Sequence, residues 1–302
     1  MFPYKHSLKF KFIFVLLAVI MLILGLALFT VLKVMVSNRS IGDKYERNPV
    51  VSTQALALLQ SERLATPTPL ADVIPPTTAP AQQEMPATIP ENQRGLITNG
   101  KRNENKVALT FDLCEREGEP AGYDSEIIRI LNETQSPATL FLGGLWMQNH
   151  QVETLQLAAN PLFELGNHSW SHEDFSAISK EEMDQQILLT QQTMSDLLGY
   201  QTNLFRLPYG TYTDEALNVI NDQGLYIIQW DDVSGDPDPN IDAKEMTEWV
   251  MQQVQPGSII IMHANGRGWH TAEALPRIIQ SLREQGYSLV TVSDLLQIQP
   301  YK

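Results

Sequence analysis

Cysteine is nearly absent. Cys114 is the only one in the 302-residue chain, so no intramolecular disulfide can form and cysteine usage says nothing about the compartment. Basic residues are scarce beyond the first hundred positions: residues 101–302 carry 12 Lys and Arg against 29 Asp and Glu. A field of that sign repels phosphate, which argues against nucleic acid or an anionic membrane surface as a partner of this part. Charge is missing altogether from Phe12 to Leu32, "FIFVLLAVIMLILGLALFTVL", a run long enough to cross a bilayer at about 1.5 Å per residue. No convincing small-x-small cleavage site follows in "KVMVSNRS", so the run reads as a retained transmembrane helix and not as a signal peptide. Lys5, Lys9 and Lys11 before it are matched by Lys33, Arg39, Lys44 and Arg47 after it, and charge alone does not set the orientation. Large apolar residues are in turn almost missing from "TPTPLADVIPPTTAPAQQEMPATIP", whose Pro, Thr and Ala suit an extended linker. The expected organisation is therefore a membrane anchor over 1–36, a juxtamembrane segment and Pro/Thr-rich linker over 37–100, and a globular domain over 101–302, large enough for one hydrophobic core.

Within that domain, short apolar runs alternate with amphipathic stretches. "VALTFDL", "ATLFLGG", "LFELGNH", "LFRLPYG", "YIIQWDD", "SIIIMH" and "SLVTVSDLL" read as strands. "YDSEIIRILNE", "VETLQLAAN", "EEMDQQILLTQQTMSDLLG", "TDEALNVINDQG", "AKEMTEWVMQQV" and "AEALPRIIQSLREQG" read as helices between them, several stopped by Gly. Seven strands with intervening helices predict an α/β architecture on a parallel sheet, closed into a barrel or left open.

Ionisable residues collect where these strands end. The first ends in Asp112, the third runs into His168 and His172, the fourth gives Arg206 and Tyr209, the fifth Asp231, Asp232 and Asp236, and the sixth His263. That rim is where α/β barrels build active sites. In "GNHSWSH" the two histidines are four apart, and on a helix that spacing projects both imidazoles from one face, as two ligands of one metal ion require. Strand-end placement also predicts that Arg206 and His263 face the rim, so that alanine there costs activity and leaves the domain folded.

Residues 106–296 resemble the polysaccharide deacetylase family, with its NodB homology domain, in five ordered segments: "TFDLCE", "NHSWSH", "RLPYG", "WDDVSGD" and "IIMH". The resemblance implies an irregular (β/α)7 barrel and a metal-dependent hydrolase that removes acetyl groups from an N-acetylated or O-acetylated envelope or extracellular polysaccharide. It also implies one divalent metal, expected to be Zn2+, on His168 and His172. Asp112 would be the general base, His263 the acid that protonates the leaving amine, Arg206 the partner that orients the base, and the backbone near Tyr209 an oxyanion donor. A carboxylate after the fifth strand would hold the acid histidine protonated; Asp236 fits best by position, with Asp232 as the alternative. Trp230 and Trp269 lie close enough to these motifs to stack on sugar rings. A glycan substrate places the domain outside the cytoplasm, on a single-pass anchor in the cell membrane.

Two departures from the family pattern stand out. The residue after the base, normally the third metal ligand, is Leu113, which cannot ligate; Asp112, Glu115 and Asp124 are the nearby carboxylates, and Glu115 is the preferred replacement with Asp112 kept as base. The fifth-strand motif reads "DDVSGDPDP", with no Trp after its last Asp. Two other functions stay open: a metal-independent C–N hydrolase of a small cyclic amide, and an envelope glycan-binding protein without catalysis.

Overall fold

The computed structural model describes residues 89–90 and 93–301. The anchor Phe12–Leu32 and most of the linker lie outside these residues; among those described, no helix is long and apolar enough to cross a membrane. The strands are β1 (Leu96–Ile97), β2 (Lys106–Leu113), β3 (Ala138–Leu142), β4 (Phe163–Asn167), β5 (Leu204–Phe205), β6 (Tyr226–Ile228), β7 (Asp232–Val233), β8 (Ile259–His263) and β9 (Ser288–Val290). The eight α-helices among the described residues are α1 (Ser125–Glu133), α2 (Gly144–Asn149), α3 (Gln151–Ala158), α4 (Lys180–Leu198), α5 (Asp214–Asp222), α6 (Ala243–Gln253), α7 (Thr271–Glu284) and α8 (Val292–Leu296).

All strand pairs are parallel, in the order β1-β6-β5-β4-β3-β2-β8-β7, with β9 joining β2. The sheet curls into a half-barrel with helices outside it, and its hydrogen-bonded ladder ends at β1 and β7 among the described residues. The sheet thus begins at Leu96, ahead of residue 101, the expected start of the domain. "SLVTVSDLL" is a strand only as far as Val290. Thr291 then accepts the Asp294 N–H as an N-cap and starts α8, so the second half of that apolar run is helix.

Period-2 alternation sorts the side chains. Leu109, Phe111 and Leu113 of β2, with Leu140, Leu142, Ile260 and Met262 of its neighbours, point outward and are buried beneath α1, α6 and α7. Each such residue, fully removed from water, contributes about 1.5–3 kcal/mol. The inward set is smaller. Ala108, Phe141, Leu204, Ile228 and Ile259 meet Val292 and Leu295 of α8, which plugs the lower end. Buried Glu164 fastens that plug by accepting from Thr139 Oγ1 (2.8 Å) and the Ser293 N–H (3.2 Å) at the helix start. Helix α4 begins in a capping box between Ser179 and Glu182 and stops at left-handed Gly199.

Register sets the upper end. Asp112 lies opposite Phe141 on one side and His263 on the other, so all three point inward at one level. Phe141 is also opposite Gly166, where a Cβ would come within 2.5 Å of the phenyl ring; only glycine leaves room for it.

Candidate active site

A cleft of about 330 Å³ opens at the C-terminal ends of the strands, lined by Asp112, His172, Tyr209, Trp230, Asp236 and His263 among others. Its floor is a buried ion pair. Arg206, just after β5, is fully buried with its guanidinium carbon 4.0 Å above the Phe141 ring. Nη1 donates to Asp112 Oδ1 at 2.8 Å, while Nε and Nη2 donate to the carbonyls of Ile228 (3.3 Å) and Gln229 (3.5 Å). The expectation that Arg206 stands on the rim, clear of the core, is therefore corrected: it bridges the floor of the cleft and the core.

Burial alone would raise the pKa of Asp112, but the positive groups around it, His168, Arg206 and His263, outweigh that and hold the carboxyl below its ordinary value. His168 is pulled the other way, below the ordinary imidazole value, chiefly by its own burial. Across the cleft, His263 Nδ1 is 2.9 Å from Asp236 Oδ1, and Asp236 Oδ2 accepts from the His263 N–H (2.6 Å) and from Thr271 Oγ1 (2.8 Å). Burial alone would lower the imidazole, but the bond and charge of Asp236, with Asp112 behind them, raise it. The partner of His263 is thus Asp236. Asp232 sits on β7 with both carboxylate oxygens buried and without a hydrogen-bond partner, and burial beside Asp231 pushes its pKa up to about 8. Asp231 is occupied by Arg102 (2.6 Å) and the Ile259 N–H (2.9 Å), so neither residue joins the cleft.

His168 and His172 do come together, but not on a helix. They follow β4 in a loop in which Ser169 and His172 take positive φ (64° and 59°). Asn167 Oδ1 accepts the Ser169 N–H (2.9 Å), Ser169 Oγ accepts the His172 N–H (3.1 Å), and the ring centroids end 4.9 Å apart. Tyr209, at φ 58°, meets His172 edge-on at 4.4 Å. Ser169, His172 and Tyr209 are three of the five non-glycine residues with positive φ among those described, and such strained positions gather at functional sites.

His168 Nδ1 lies 2.9 Å from the Arg206 carbonyl, which fixes it as the donor and leaves Nε2 a bare lone pair. Nε2 is 3.4 Å from Asp112 Oδ2 without hydrogen-bonding geometry, and His172 Nδ1 is equally unpartnered, both atoms being buried. Burial, with His168 adjacent, lowers His172 to about 3. Two neutral, unpartnered imidazoles are what a divalent cation needs, so the donor set fits a metal.

Glu115 faces elsewhere: Oε1 accepts from Asn149 Nδ2 (2.6 Å) and Oε2 from the Ala121 N–H (3.3 Å). Among the described residues, the group whose ligand atoms all lie within 4.8 Å of one another is Cys114, His168 and His172. Cys114 is 2% exposed, and burial together with the Asp112 carboxylate pushes its thiol up to about 12. Sequence reasoning passed over Cys114 by counting only carboxylates, although two steps beyond Asp112 on an extended chain returns to the same face. Of the aromatics expected to contact sugar, Tyr209 and Trp230 line the cleft, whereas Trp269, 61% exposed, is not among its lining residues.

Residues 99–228 match the family model described as Polysaccharide deacetylase. The chain is 33% identical over 196 residues to the peptidoglycan-N-acetylmuramic acid deacetylase PdaC of Bacillus subtilis, covering 65% of this chain but only 40% of that protein. Against the crystal structure of PdaC the identity is 31% and the TM-score 0.55, over 65% of this chain and 91% of that one. The Bc1960 peptidoglycan N-acetylglucosamine deacetylase is 27% identical with a TM-score of 0.64, over 69% of this chain and 95% of its own. BA3943 of Bacillus anthracis, described as a CE4 family pseudoenzyme, is 26% identical with a TM-score of 0.60, over 67% of this chain and 69% of that one.

Proposed function

The chain belongs to the polysaccharide deacetylase family, and from that premise we propose that it hydrolyses the N-acetyl amide of an envelope glycan, with peptidoglycan as the first candidate. The observation that carries this reading is the opposed tuning of two groups facing one cleft. Arg206, bonded to Asp112, favours its anion, and Asp236, bonded to His263, favours its cation.

Amide hydrolysis needs both states at once. As water adds to the acetyl carbonyl, Asp112 Oδ2, the oxygen not bonded to Arg206, takes its proton. His263, held through Nδ1 by Asp236, presents Nε2 to the amide nitrogen and protonates it as the C–N bond breaks, giving acetate and a free sugar amine. Tyr209 and Trp230 flank the cleft where a sugar ring would lie. His168 and His172 would hold one divalent ion, Zn2+ in this proposal, which supplies polarisation of the carbonyl and acidification of water. The membrane anchor Phe12–Leu32 would tether the domain outside the cytoplasm, and protease added to intact cells should then release it.

Leu113 and the likeness to BA3943 favour a second reading, a glycan-binding protein without turnover. A substrate panel separates the readings. The full-length protein in mild detergent is given peptidoglycan, N-acetylglucosamine oligomers and small cyclic amides, and acetate, amine and ring opening are followed. Acetate from the glycans supports the proposal; ring opening of the cyclic amides alone, or glycan binding without acetate, refutes it.

A further inference from the structure

In the first of the two departures noted in the sequence, Leu113 stands where a metal-binding carboxylate is expected, yet the two imidazoles beside it are arranged as ligands. Leu113 cannot be the missing donor, because its side chain points outward and is wholly buried in the apolar layer with Leu142 and Ile127. One residue on, Cys114 returns to the inward face. Two contacts fix it there. Asn265, itself buried, donates from Nδ2 to the Cys114 carbonyl at 2.7 Å and reaches Sγ at 3.5 Å. On the other side Gly143, just past β3, packs so closely that a Cβ on it would stand 3.3 Å from the Cys114 Cα, a tight contact that glycine relieves.

We propose that Cys114 is the third protein ligand of a divalent metal site completed by His168 and His172. Beyond the sulfur itself, the support is the pair of ring nitrogens, His168 Nε2 and His172 Nδ1, both buried and neither with a hydrogen-bond partner. Leaving such atoms unpaired costs about 1–3 kcal/mol each, a cost that a shared cation would remove. The Arg206 carbonyl at His168 Nδ1 orients one ligand and the amide of Asn265 another. A sulfur and two imidazole nitrogens form a softer set than a carboxylate and two imidazoles, which favours Zn2+ or Co2+ over Mg2+, Ca2+ or Mn2+. Three protein ligands also leave a position open, as catalytic zinc sites require. Glu115 and Asp112 are then free of the metal, the first bound to Asn149 and the second to Arg206.

The inference rests on the deacetylase reading for what the ion does, but not for whether it binds. Full-length protein in mild detergent, stripped with a chelator, is titrated with Co2+ and followed by absorption, with zinc counted by elemental analysis in parallel. Wild type should bind one ion per chain and develop a near-ultraviolet sulfur-to-cobalt charge-transfer band. Cys114→Ser should lose that band and bind more than about a hundredfold more weakly, since loss of an outer partner alone costs about 10–100-fold. Glu115→Gln should keep both the band and the affinity. Circular dichroism shows whether each variant is folded; should Cys114→Ser fail to fold, the wild-type band and its retention in Glu115→Gln still decide the matter. Binding without the band, loss of binding in Glu115→Gln, or no binding by wild type overturns the proposal. Metal bound through sulfur with no acetate released would leave it standing and would sink the deacetylase reading instead.

Discussion

Arg206→Ala should cost both activity and stability, and the two can be separated. Arg206 and Asp112 are both buried, 2.8 Å apart, so removing the guanidinium leaves a carboxylate whose other close contact, His168 Nε2, carries no proton to offer it, with the more distant His263 as its remaining positive influence. Breaking a buried pair on one side costs about 3–5 kcal/mol, a large share of the roughly 5–15 kcal/mol that holds a domain together. Lost packing over Phe141 adds to this. The sign of the pH dependence follows from Asp112. Its folded pKa lies below the unfolded value, so its contribution is present above the unfolded pKa and is lost as pH falls through the folded one. The penalty of Arg206→Ala should therefore shrink in acid, where the stranded carboxylate is protonated. Urea melts of wild type, Arg206→Ala, Asp112→Asn and the double variant close a mutant cycle, with an expected coupling of about 2–3 kcal/mol at neutral pH. In turnover, Arg206→Ala should lose at least about a hundredfold in kcat, or about 3 kcal/mol. A penalty that is the same in the Asp112→Asn background, or does not change with pH, would show that the pair is not what holds the floor of the cleft.

Two further outcomes follow from the electrostatics. Activity should be bell-shaped in pH: it rises as Asp112 ionises below the usual carboxylate range and falls as His263 deprotonates above the usual imidazole range. Asp236→Asn removes most of what raises His263 and leaves the burial that lowers it opposed by the charge of Asp112 alone, so the alkaline limb of kcat/KM should move to lower pH, and an unmoved limb would unseat His263 as the acid. Asp232→Asn should stabilise the domain. The folded pKa of about 8 stands above the unfolded 3.8, so native stability is full in acid and falls as pH rises toward 8; at pH 7 the neutral amide should recover up to about 4 kcal/mol, and nothing near pH 3.5. A gain in melting temperature that is equal at both pH values would refute that assignment.

The alternation of strand and helix, and the gathering of Asp112, His168, His172, Arg206, Asp236 and His263 at one end of the sheet, were legible because strand period and strand direction are written in the pattern of apolar residues. Three things were not. The histidines were expected to converge by helical spacing, but they converge through left-handed Ser169 and His172, conformations that nothing in residue type announces. Arg206 was read as a rim residue from its strand-end placement, whereas here a carboxylate, two carbonyls and an aromatic face allow its full burial. Glu115 was preferred among the nearby carboxylates and Cys114 was not weighed, yet the direction of a side chain just past a strand end depends on tertiary contacts such as those of Asn149 and Asn265, more than a turn of chain away.

The central claim is that this cleft cleaves a C–N bond. The most direct measurement counts acetate and new primary amine together when full-length protein in mild detergent acts on N-acetylated peptidoglycan fragments, with Asp112→Asn as control. The two products should appear in equal amounts and vanish together in the variant. Acetate without amine would mean ester cleavage, and neither product from a folded, metal-loaded protein would mean that the cleft binds glycan without turning it over.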